Sequence, residues 1–233
     1  VPIENGKISD ISRLISATPT IKTIQSLGGI TILISHFGRP DGLYKEELSL
    51  KQVVPELENL LNCPVKFSSE LVGKNVIKKI DNLIGGEILL LENTRFFAEE
   101  EKNEESFSME LSKLGDIFCN DAFSSSHRAH ASTVGVSKLL PNCAGQLMKK
   151  EIDTLENVLK KPQKPLTAVV GGAKISTKLN LLLNLIKKVD HLVIGGGMAN
   201  TFLFAKGLQI GKSLCEKNLK ETSLDEMEMH WQA

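Results

Sequence analysis

The feature that most constrains the fold is an alternation of short apolar runs with longer amphipathic stretches. Five runs have strand length and are apolar at most positions: 30–35, 87–92, 116–121, 166–171 and 191–196. Amphipathic stretches of helix length lie among them, at residues 49–61, 106–114, 147–161 and 174–189. Near-continuous apolar runs are typical of strands buried on both faces. The alternation therefore predicts an α/β fold that is Rossmann-like and three-layered, with parallel sheets covered by helices.

The stretch 147–161 separates two parts of the chain. It is long and charged, and it is followed by Pro162 and Pro165, which cannot continue a helix. We therefore predict a domain boundary near residue 160, with one α/β domain over residues 1–160 and a second over residues 161–233.

Composition gives no support for nucleic-acid or membrane partners. Lysine and arginine total 28 against 28 aspartate and glutamate, so net charge gives no reason to expect nucleic acid or an anionic membrane as partner. The apolar runs are far shorter than the roughly 20 residues of a membrane helix. Four cysteines without a CxxC spacing favour reduced, buried thiols and a cytoplasmic location. With only 5% aromatic residues, we expect a monomer.

The ends of the first three predicted strands carry one arginine each. Ligands of open parallel sheets bind beyond the carboxyl ends of the strands, and these exits are "SHFGRP", "ENTRFF" and "NDAFSSSHRAHAS". A single loop arginine is usually a solvated surface charge. Three at equivalent positions, Arg39, Arg95 and Arg128, predict a site for a multiply charged small anion. Arg13, just before the first amphipathic helix, is a candidate fourth.

The stretch "SSSHRAHAS" places His127 and His130 on either side of Arg128, without a carboxylate. A zinc site is a poor interpretation, because no HExxH pattern is present and Arg128 would repel a cation. We interpret the stretch as part of an anion site. Arg128 provides the bidentate contact, and the two imidazoles provide hydrogen bonds and positive potential instead of acting as bases.

The exits of the last two predicted strands are rich in glycine. "GGAKISTK" and "GGGMANT" allow backbone N–H groups to approach phosphates closely, and Lys174 and Lys178 have the i, i+4 spacing of one helix face. The alternative is a tight strand-to-helix turn without a ligand. "GLQIGKS" (207–213) is one residue too short between its glycines for a P-loop. An anion site and a phosphate site in two domains favour phosphoryl transfer.

These five motifs, in this order and spacing, resemble the phosphoglycerate kinase family from residue 1 to about 216. The resemblance implies reversible phosphoryl transfer between 1,3-bisphosphoglycerate and ADP, giving 3-phosphoglycerate and ATP in glycolysis. It also implies Mg²⁺ bound through the nucleotide, with no metal ligand in this chain. The small-molecule substrates 3-phosphoglycerate and ATP or ADP are the implied partners.

The resemblance also assigns residues to the two sites. It implies that the domain over residues 1–160 binds 3-phosphoglycerate through Arg13, His36, Phe37, Gly38, Arg39, Arg95, His127, Arg128 and His130. It implies that the domain over residues 161–233 binds the nucleotide through Gly171, Gly172, Lys174, Lys178, Gly195 and Gly196. Lys174 would stabilise the transferring phosphoryl group, and it and Arg13 are the implied catalytic residues.

The two ends of the chain depart from the family pattern. The family's first strand, with an Asp and an Asn that hold the substrate, precedes the position of Val1, and residues 218–233 do not resemble the family's continuation. We therefore expect a nearly whole substrate domain followed by an incomplete nucleotide domain. The alternative function is a catalytically inactive fragment that retains only 3-phosphoglycerate binding.

Overall fold

A computed structural model of the chain describes residues 2–4, 7–160 and 162–216. The chain divides into two compact units, Val1–Asp153 and Thr154–Ala233. The division falls inside a helix, Gln146–Lys160, that occupies nearly the whole of the predicted stretch 147–161; residue 161 lies outside the described residues. Which ligand each of the two units binds stays a prediction.

The first unit contains most of the regular elements. Its strands are β1 (Ile3–Glu4), β2 (Lys7–Ile8), β3 (Thr31–Leu33), β4 (Val65–Ser68), β5 (Ile88–Leu91), β6 (Phe118–Asn120) and β7 (Asn142–Ala144). Its helices are α1 (Ser12–Ser26), α2 (Val54–Leu61), α3 (Lys74–Asp81), α4 (Ala98–Lys102) and α5 (Glu105–Ser112), and α6 (Gln146–Lys160) begins in it. Short 3₁₀ turns include Leu50–Val53, Thr94–Phe96 and Phe123–Ser125, and a π-turn covers Ala131–Gly135.

The strands of the first unit pair mainly in parallel, as predicted. β5 lies between β3 and β4, and both pairings are parallel. β6 pairs with β7, also in parallel, whereas β1 and β2 form a short antiparallel pair. The structure thus confirms strands within 30–35, 87–92 and 116–121. β4 and β7 were not predicted, because Lys66 and Asn142 interrupt the apolar pattern in elements of only four and three residues.

Strand β5 shows why its run is apolar at every position. Ile88 and Leu90 join one core cluster with α1 and α2, whereas Leu89 and Leu91 join a second cluster with α3 and α5. Alternate residues of a strand point to opposite faces, so a strand covered on both sides needs apolar residues throughout. Each such side chain contributes about 1.5–3 kcal/mol when fully buried. The helices on both faces confirm the predicted α/β arrangement.

The predicted helix over 49–61 is broken. Leu50–Val53 form a 3₁₀ turn and the α-helix starts only at Val54, with Pro55 in its first turn. Proline lacks an N–H group and clashes with the preceding turn, so it is tolerated only where no intrahelical donor is required. The predicted helix over 106–114 is observed as α5, at Glu105–Ser112.

The second unit pairs two strands in parallel. Its elements are β8 (Thr167–Gly171), α7 (Leu179–Leu185), β9 (His191–Gly195) and α8 (Gly196–Ala205). Its core consists of Val170, Ile175, Leu182, Met198 and Phe202. No helix in the part of the chain that the structure describes is long and apolar enough to cross a bilayer.

The predicted helix over 174–189 is wrong at both ends. α7 covers only Leu179–Leu185, and Lys178 is its N-cap residue. Before it, Ile175 is fully buried and its carbonyl accepts a hydrogen bond from the Lys178 N–H at 2.8 Å. Ser176 donates its backbone N–H (3.1 Å) and its hydroxyl group to the Glu216 carboxylate. Side-chain and backbone bonds of this kind compete with a helix, so the segment forms a turn.

Candidate functional site

The ends of β3 and β5 meet at one edge of the sheet. Leu33 lies opposite Leu90, and just beyond the strands the Thr94 N–H donates to the Ser35 carbonyl at 3.0 Å. Parallel neighbours necessarily bring their carboxyl ends to the same edge. The segments "SHFGRP" and "ENTRFF" are therefore in direct contact, as the strand-exit interpretation requires.

Asn93 holds these two segments together. Its side-chain oxygen accepts hydrogen bonds from the backbone N–H groups of Phe37 and Arg95, both at 3.1 Å. Its amide nitrogen donates to the carbonyls of Phe37 at 2.7 Å and Leu48 at 3.0 Å. Asn93 is fully buried, and these four bonds use both donors of its amide and both acceptor sites of its oxygen. This one amide therefore positions the backbone on either side of the site.

The neighbouring Glu92 is a second buried support. It is 2% exposed and accepts hydrogen bonds from the Ser49 hydroxyl at 2.7 Å, the Leu50 N–H at 2.9 Å and the Asn93 N–H at 2.8 Å. A buried carboxylate is tolerated when several donors replace its hydration. Glu92 thus ties the 3₁₀ turn after Ser49 to the end of β5.

Arg95 is the most buried cation of the site. It is 7% exposed, and one terminal nitrogen donates to the Gly38 carbonyl at 2.7 Å. Its Nε lies 2.9 Å from Glu101 Oε1, so the two form an ion pair, although the N–H is not aligned for a hydrogen bond. Gly38 has φ +64°, and a Cβ there would lie 2.6 Å from Leu48 Cδ2. Its conformation favours glycine, and a Cβ there would also require the Leu48 side chain to shift.

The pKa of His36 reflects the positive charges around it. Its pKa is lowered to about 4, first by burial and then by the charges of Arg95 and Arg128 and, where it is protonated, of His130; Glu101 opposes the shift. Burial and neighbouring positive charge both disfavour a protonated imidazole. His36 is therefore neutral at pH 7, and the structure brings four of the predicted residues into one positive region.

The segment after β6 is fixed by a buried carboxylate. The Arg128 carbonyl accepts a hydrogen bond from the Thr133 hydroxyl at 2.8 Å. Glu100, 1% exposed, accepts hydrogen bonds from Ser132, from its N–H at 2.9 Å and its hydroxyl at 2.5 Å. His130 Nδ1 lies 3.8 Å from the same carboxylate. The sequence stretch contains no acid, but the fold supplies one from α4.

Two carboxylates in the site revise our interpretation of the charge pattern. The interpretation as an anion site rests on a stretch that contains no carboxylate of its own. Glu101, however, pairs with Arg95, and Glu100 lies beside His130. A bound anion therefore has to compete with Glu101 for Arg95.

The remaining predicted residues of this site are exposed. Arg39 and His127 face solvent. Arg13 is also exposed and lies inside the first turn of α1, not before the helix as predicted. Hydrogen bonds from Ser12, and more weakly the charge of Arg13, lower the pKa of Asp10. The contacts that assemble the site involve His36, Phe37, Gly38, Arg95, Arg128 and His130 instead.

In the second unit, glycine allows β8 and α8 to approach closely. The Met198 N–H donates to the Gly172 carbonyl at 3.0 Å. A Cβ on Gly172 would lie 3.2 Å from Met198 Sδ, and one on Gly196, whose φ is +65°, would lie 3.1 Å from the Gly172 carbonyl oxygen. A Cβ on Gly195 would have no neighbour within 4 Å, and one on Gly171 only the Gly195 carbonyl at 3.9 Å. A side chain at Gly172 or Gly196 would thus make a close contact, whereas one at Gly171 or Gly195 would lie in open space.

The two lysines do not share a helix face, so that prediction is wrong. Both precede α7. The Lys178 ammonium group donates to the Gly171 carbonyl at 2.9 Å, at the end of β8. Lys174 is exposed and close enough to Glu216 to contribute to its lowered pKa, which is caused mainly by the hydrogen bonds from Ser176. Lys178 is therefore held at the glycine turn, and Lys174 faces solvent beside an acid.

Sequence reasoning missed the residues that position the site. Asn93, Glu92 and Glu100 bind no predicted ligand, and only their burial identifies them. The arginines differ from these residues, because they do carry a compositional signal. The chain has only four arginines among 28 basic residues, and all four are predicted site residues. Within the described residues, no group of three His, Cys, Asp or Glu side chains could hold a metal ion.

An α/β fold with cations at the strand exits of one unit and a glycine turn beside lysines in the other is typical of proteins that bind phosphorylated ligands. The family comparison makes the class specific. The sequence model described as phosphoglycerate kinase matches residues 1–232, so the prediction that the resemblance ends at about residue 216 is wrong, and the match includes most of residues 218–233, which lie outside the described residues. This chain belongs to the phosphoglycerate kinase family.

Relatives and solved structures agree with this family. The chain is 53% identical over 225 residues to phosphoglycerate kinase of Ruegeria pomeroyi, covering 97% of the chain and 56% of the relative. It is 54% identical over 224 residues to that of Bradyrhizobium diazoefficiens, covering 96% and 56%. The solved phosphoglycerate kinase of Coxiella burnetii superposes with TM-score 0.82 at 40% identity, covering 100% of this chain and 58% of that one. The chain thus spans about half the length of the curated relatives it matches.

Proposed function

We propose that the protein to which this chain belongs transfers a phosphoryl group reversibly between 1,3-bisphosphoglycerate and ADP, giving 3-phosphoglycerate and ATP. The observation that carries the proposal is the cluster of Arg95, Arg128 and His130 around a neutral His36 in a chain of this family. Several convergent cations suit a substrate that carries both a phosphate and a carboxylate. We propose that Arg13, Arg39 and His127 join this site when the substrate is bound.

The proposed chemistry fits a site without a general base. The acceptor oxygens are a carboxylate in one direction and a diphosphate in the other, and both are ionised at neutral pH. The protein therefore has to position the reactants and stabilise charge on the transferring group. The chain's own contributions are charge-assisted bonds from its arginines and from Lys174, each of about 1.5–3 kcal/mol.

The glycine turn fits the phosphates of a nucleotide. Open space over Gly171 and Gly195, the backbone of Gly172 and Gly196, and the ammonium groups of Lys174 and Lys178 would hold them. In keeping with the family to which the chain belongs, Mg²⁺ would be held by the nucleotide. When bound, it neutralises charge on the phosphate oxygens. We further propose that the protein is a cytoplasmic monomer, in line with its balanced charge.

For the chain as given, we propose binding of 3-phosphoglycerate without turnover. The supporting observation is that its first unit has an ordered positive site, while the chain spans only about half of its relatives. Calorimetric titration with 3-phosphoglycerate and with MgADP tests this directly. Saturable binding of 3-phosphoglycerate is expected, and its absence would contradict the proposal.

The activity requires a separate assay on the full-length protein. A coupled assay with 3-phosphoglycerate, ATP and Mg²⁺ should show turnover, which the 233-residue chain should lack. An intact protein without turnover would refute the kinase proposal, whereas turnover by the shorter chain would refute only the proposal that it is inactive.

A further inference from the structure

Two cysteines that are distant in sequence are neighbours across β6 and β7. The two strands pair in parallel register with Cys119 opposite Cys143. Residues opposite each other in adjacent strands have side chains on the same face, and adjacent strands lie about 4.8 Å apart. Disulfides need Cα atoms roughly 4.4–6.8 Å apart. The register therefore satisfies the main distance requirement for a disulfide, and all four cysteines of the chain carry free thiols.

The two thiols differ in exposure, and the pKa of the Cys119 thiol is raised. Cys143 is exposed, whereas Cys119 is half-buried, so the predicted burial of the thiols is wrong for this pair. Burial, together with the neighbouring Cys143 thiol and the Asp121 carboxylate, raises the pKa of Cys119 to about 12. A thiol with such a pKa keeps its proton at neutral pH, and only thiolates are good nucleophiles. Cys143 is therefore the thiol that reacts first with a reagent from solvent.

We propose that Cys119 and Cys143 form a redox modification site that reacts with a small-molecule disulfide and closes to an intramolecular disulfide. The Cys143 thiolate attacks one sulfur of the reagent, RSSR, which gives a mixed disulfide and releases one RS⁻. Cys119 then attacks the Cys143 sulfur, and its proton passes to the departing RS⁻, which leaves as RSH. Two protein thiols are oxidised and one RSSR is reduced to two thiols, which is ordinary thiol–disulfide exchange.

The position of the pair connects it to two functional parts of the first unit. One residue after Cys119, the Asn120 carbonyl accepts the Gly145 N–H at 2.9 Å. The Asp121 carboxylate then accepts the Met148 N–H at 3.0 Å, in the first turn of α6. The segment with Arg128 follows directly. A covalent link between β6 and β7 would therefore fix the base of the anion-site segment relative to the start of α6.

Thiol counting and peptide mapping after treatment with oxidised glutathione test the proposal. The native 233-residue chain should fall from four free thiols to two, and a non-reduced digest should contain one linked peptide pair, with Cys119 joined to Cys143. Dithiothreitol should restore all four thiols. Glutathione adducts on Cys143 without the linked pair would overturn the proposal.

Three variants separate this site from unspecific oxidation. Cys143→Ser should abolish both the link and the reaction of Cys119, whereas Cys119→Ser should stop at a mixed disulfide of Cys143 with glutathione. Cys63→Ser removes a half-buried thiol of the same unit and should leave the link unchanged. The same treatment in urea should give mixed pairings. A native chain with the same mixture as the urea sample would also overturn the proposal.

Discussion

The two candidate regions differ in what holds them in place. In the first unit, buried side chains do the positioning: Asn93 binds both strand exits through four hydrogen bonds, and Glu92 and Glu100 anchor the adjacent segments. In the second unit, the backbone does it, because Gly172 and Gly196 permit a close approach that any Cβ would disturb. The first region is therefore sensitive to the loss of buried polar side chains. The second is sensitive to the addition of a Cβ atom at these two glycines.

A second difference concerns the cations. Arg95 is buried and constrained, whereas Arg39 in the first unit and Lys174 in the second are exposed. Arg95 and Lys174 each have a carboxylate nearby, Glu101 and Glu216 respectively. A ligand at either place has to compete with an acid of the protein. The buried cation defines the geometry of a site, and the exposed ones are free to move towards a ligand.

The largest effect is expected from Asn93→Leu. The substitution keeps the branched side-chain shape but leaves buried or partly buried backbone groups of Phe37, Leu48 and Arg95 without partners. Each orphaned group costs about 1–3 kcal/mol, so the free energy of unfolding should fall by about 3 kcal/mol or more. Urea unfolding followed by circular dichroism measures this, and titration with 3-phosphoglycerate should show no binding.

Asn75→Leu is the matched control, because Asn75 is exposed and donates only to Glu70, at 3.1 Å and 3.2 Å. It should change stability by less than about 0.5 kcal/mol. If Asn93→Leu does not fold, Asn93→Ala removes the same four bonds without adding volume to the buried site. Stability and binding that are unchanged in both Asn93 variants would show that the side-chain network does not position the site.

Arg39→Ala tests the contrasting, exposed type of cation. Because Arg39 faces solvent, the unfolding transition should not move. Loss of a charge-assisted bond of about 1.5–3 kcal/mol should weaken 3-phosphoglycerate binding by roughly tenfold or more. Calorimetry measures the affinity, with Lys22→Ala, an exposed cation on α1, as the control. Equal affinities of Arg39→Ala and the unsubstituted chain would remove Arg39 from the site.

Much of the fold could be predicted from the sequence, because burial on two faces leaves a direct trace in it. β5 is apolar at every position, since helices cover both of its sides, and its run was recognised. The meeting of the strand exits that carry Arg39 and Arg95 could be predicted for a related reason, because a parallel sheet fixes where its strands end. β4 and β7 left no such trace, because short strands with a polar residue lack a periodic pattern.

The rest depends on contacts between residues that are far apart in the chain. Nothing local in "SSSHRAHAS" indicates that Glu100 lies beside His130, or that Cys119 lies opposite Cys143. The turn at 174–178 was mistaken for a helix because its polar residues fit a helical pattern, whereas a hydrogen bond from Ser176 to Glu216, 40 residues away, favours the turn. The periodicity of apolar residues identifies helices and strands. It does not identify the hydrogen bonds between distant polar residues that determine where these helices and strands end.

Gly196→Ala tests the second region with a smaller expected effect. Residue 196 has φ +65°, and an added Cβ would lie 3.1 Å from the Gly172 carbonyl oxygen. The strained conformation should cost about 1–2 kcal/mol. Gly195→Ala is the matched control, because residue 195 is extended and its Cβ would have no neighbour within 4 Å. Hydrogen exchange of peptides from α8 measures the difference, and equal protection in the two variants would contradict a steric role for Gly196.

The most local effect concerns the charge of His36. Its pKa of about 4 lies below the ordinary value of 6.5, so the folded chain favours the neutral imidazole. The neutral imidazole therefore contributes fully to the free energy of unfolding above about pH 6.5. That contribution is lost as the pH falls towards 4, because the unfolded chain binds the proton first. A bound anion offsets Arg95, Arg128 and His130, and should therefore raise the pKa of His36.

NMR titration of the imidazole resonances measures this shift directly. In the free chain the His36 midpoint should lie near 4, and saturating 3-phosphoglycerate should move it towards 6.5. His191, an exposed histidine of the second unit, provides the internal control, since its resonances should not respond to the ligand. A His36 midpoint that stays near 4 in the saturated chain would mean that the anion does not bind among these cations. The positive region of the first unit would then be a consequence of packing, and the difference between the two regions would concern stability alone.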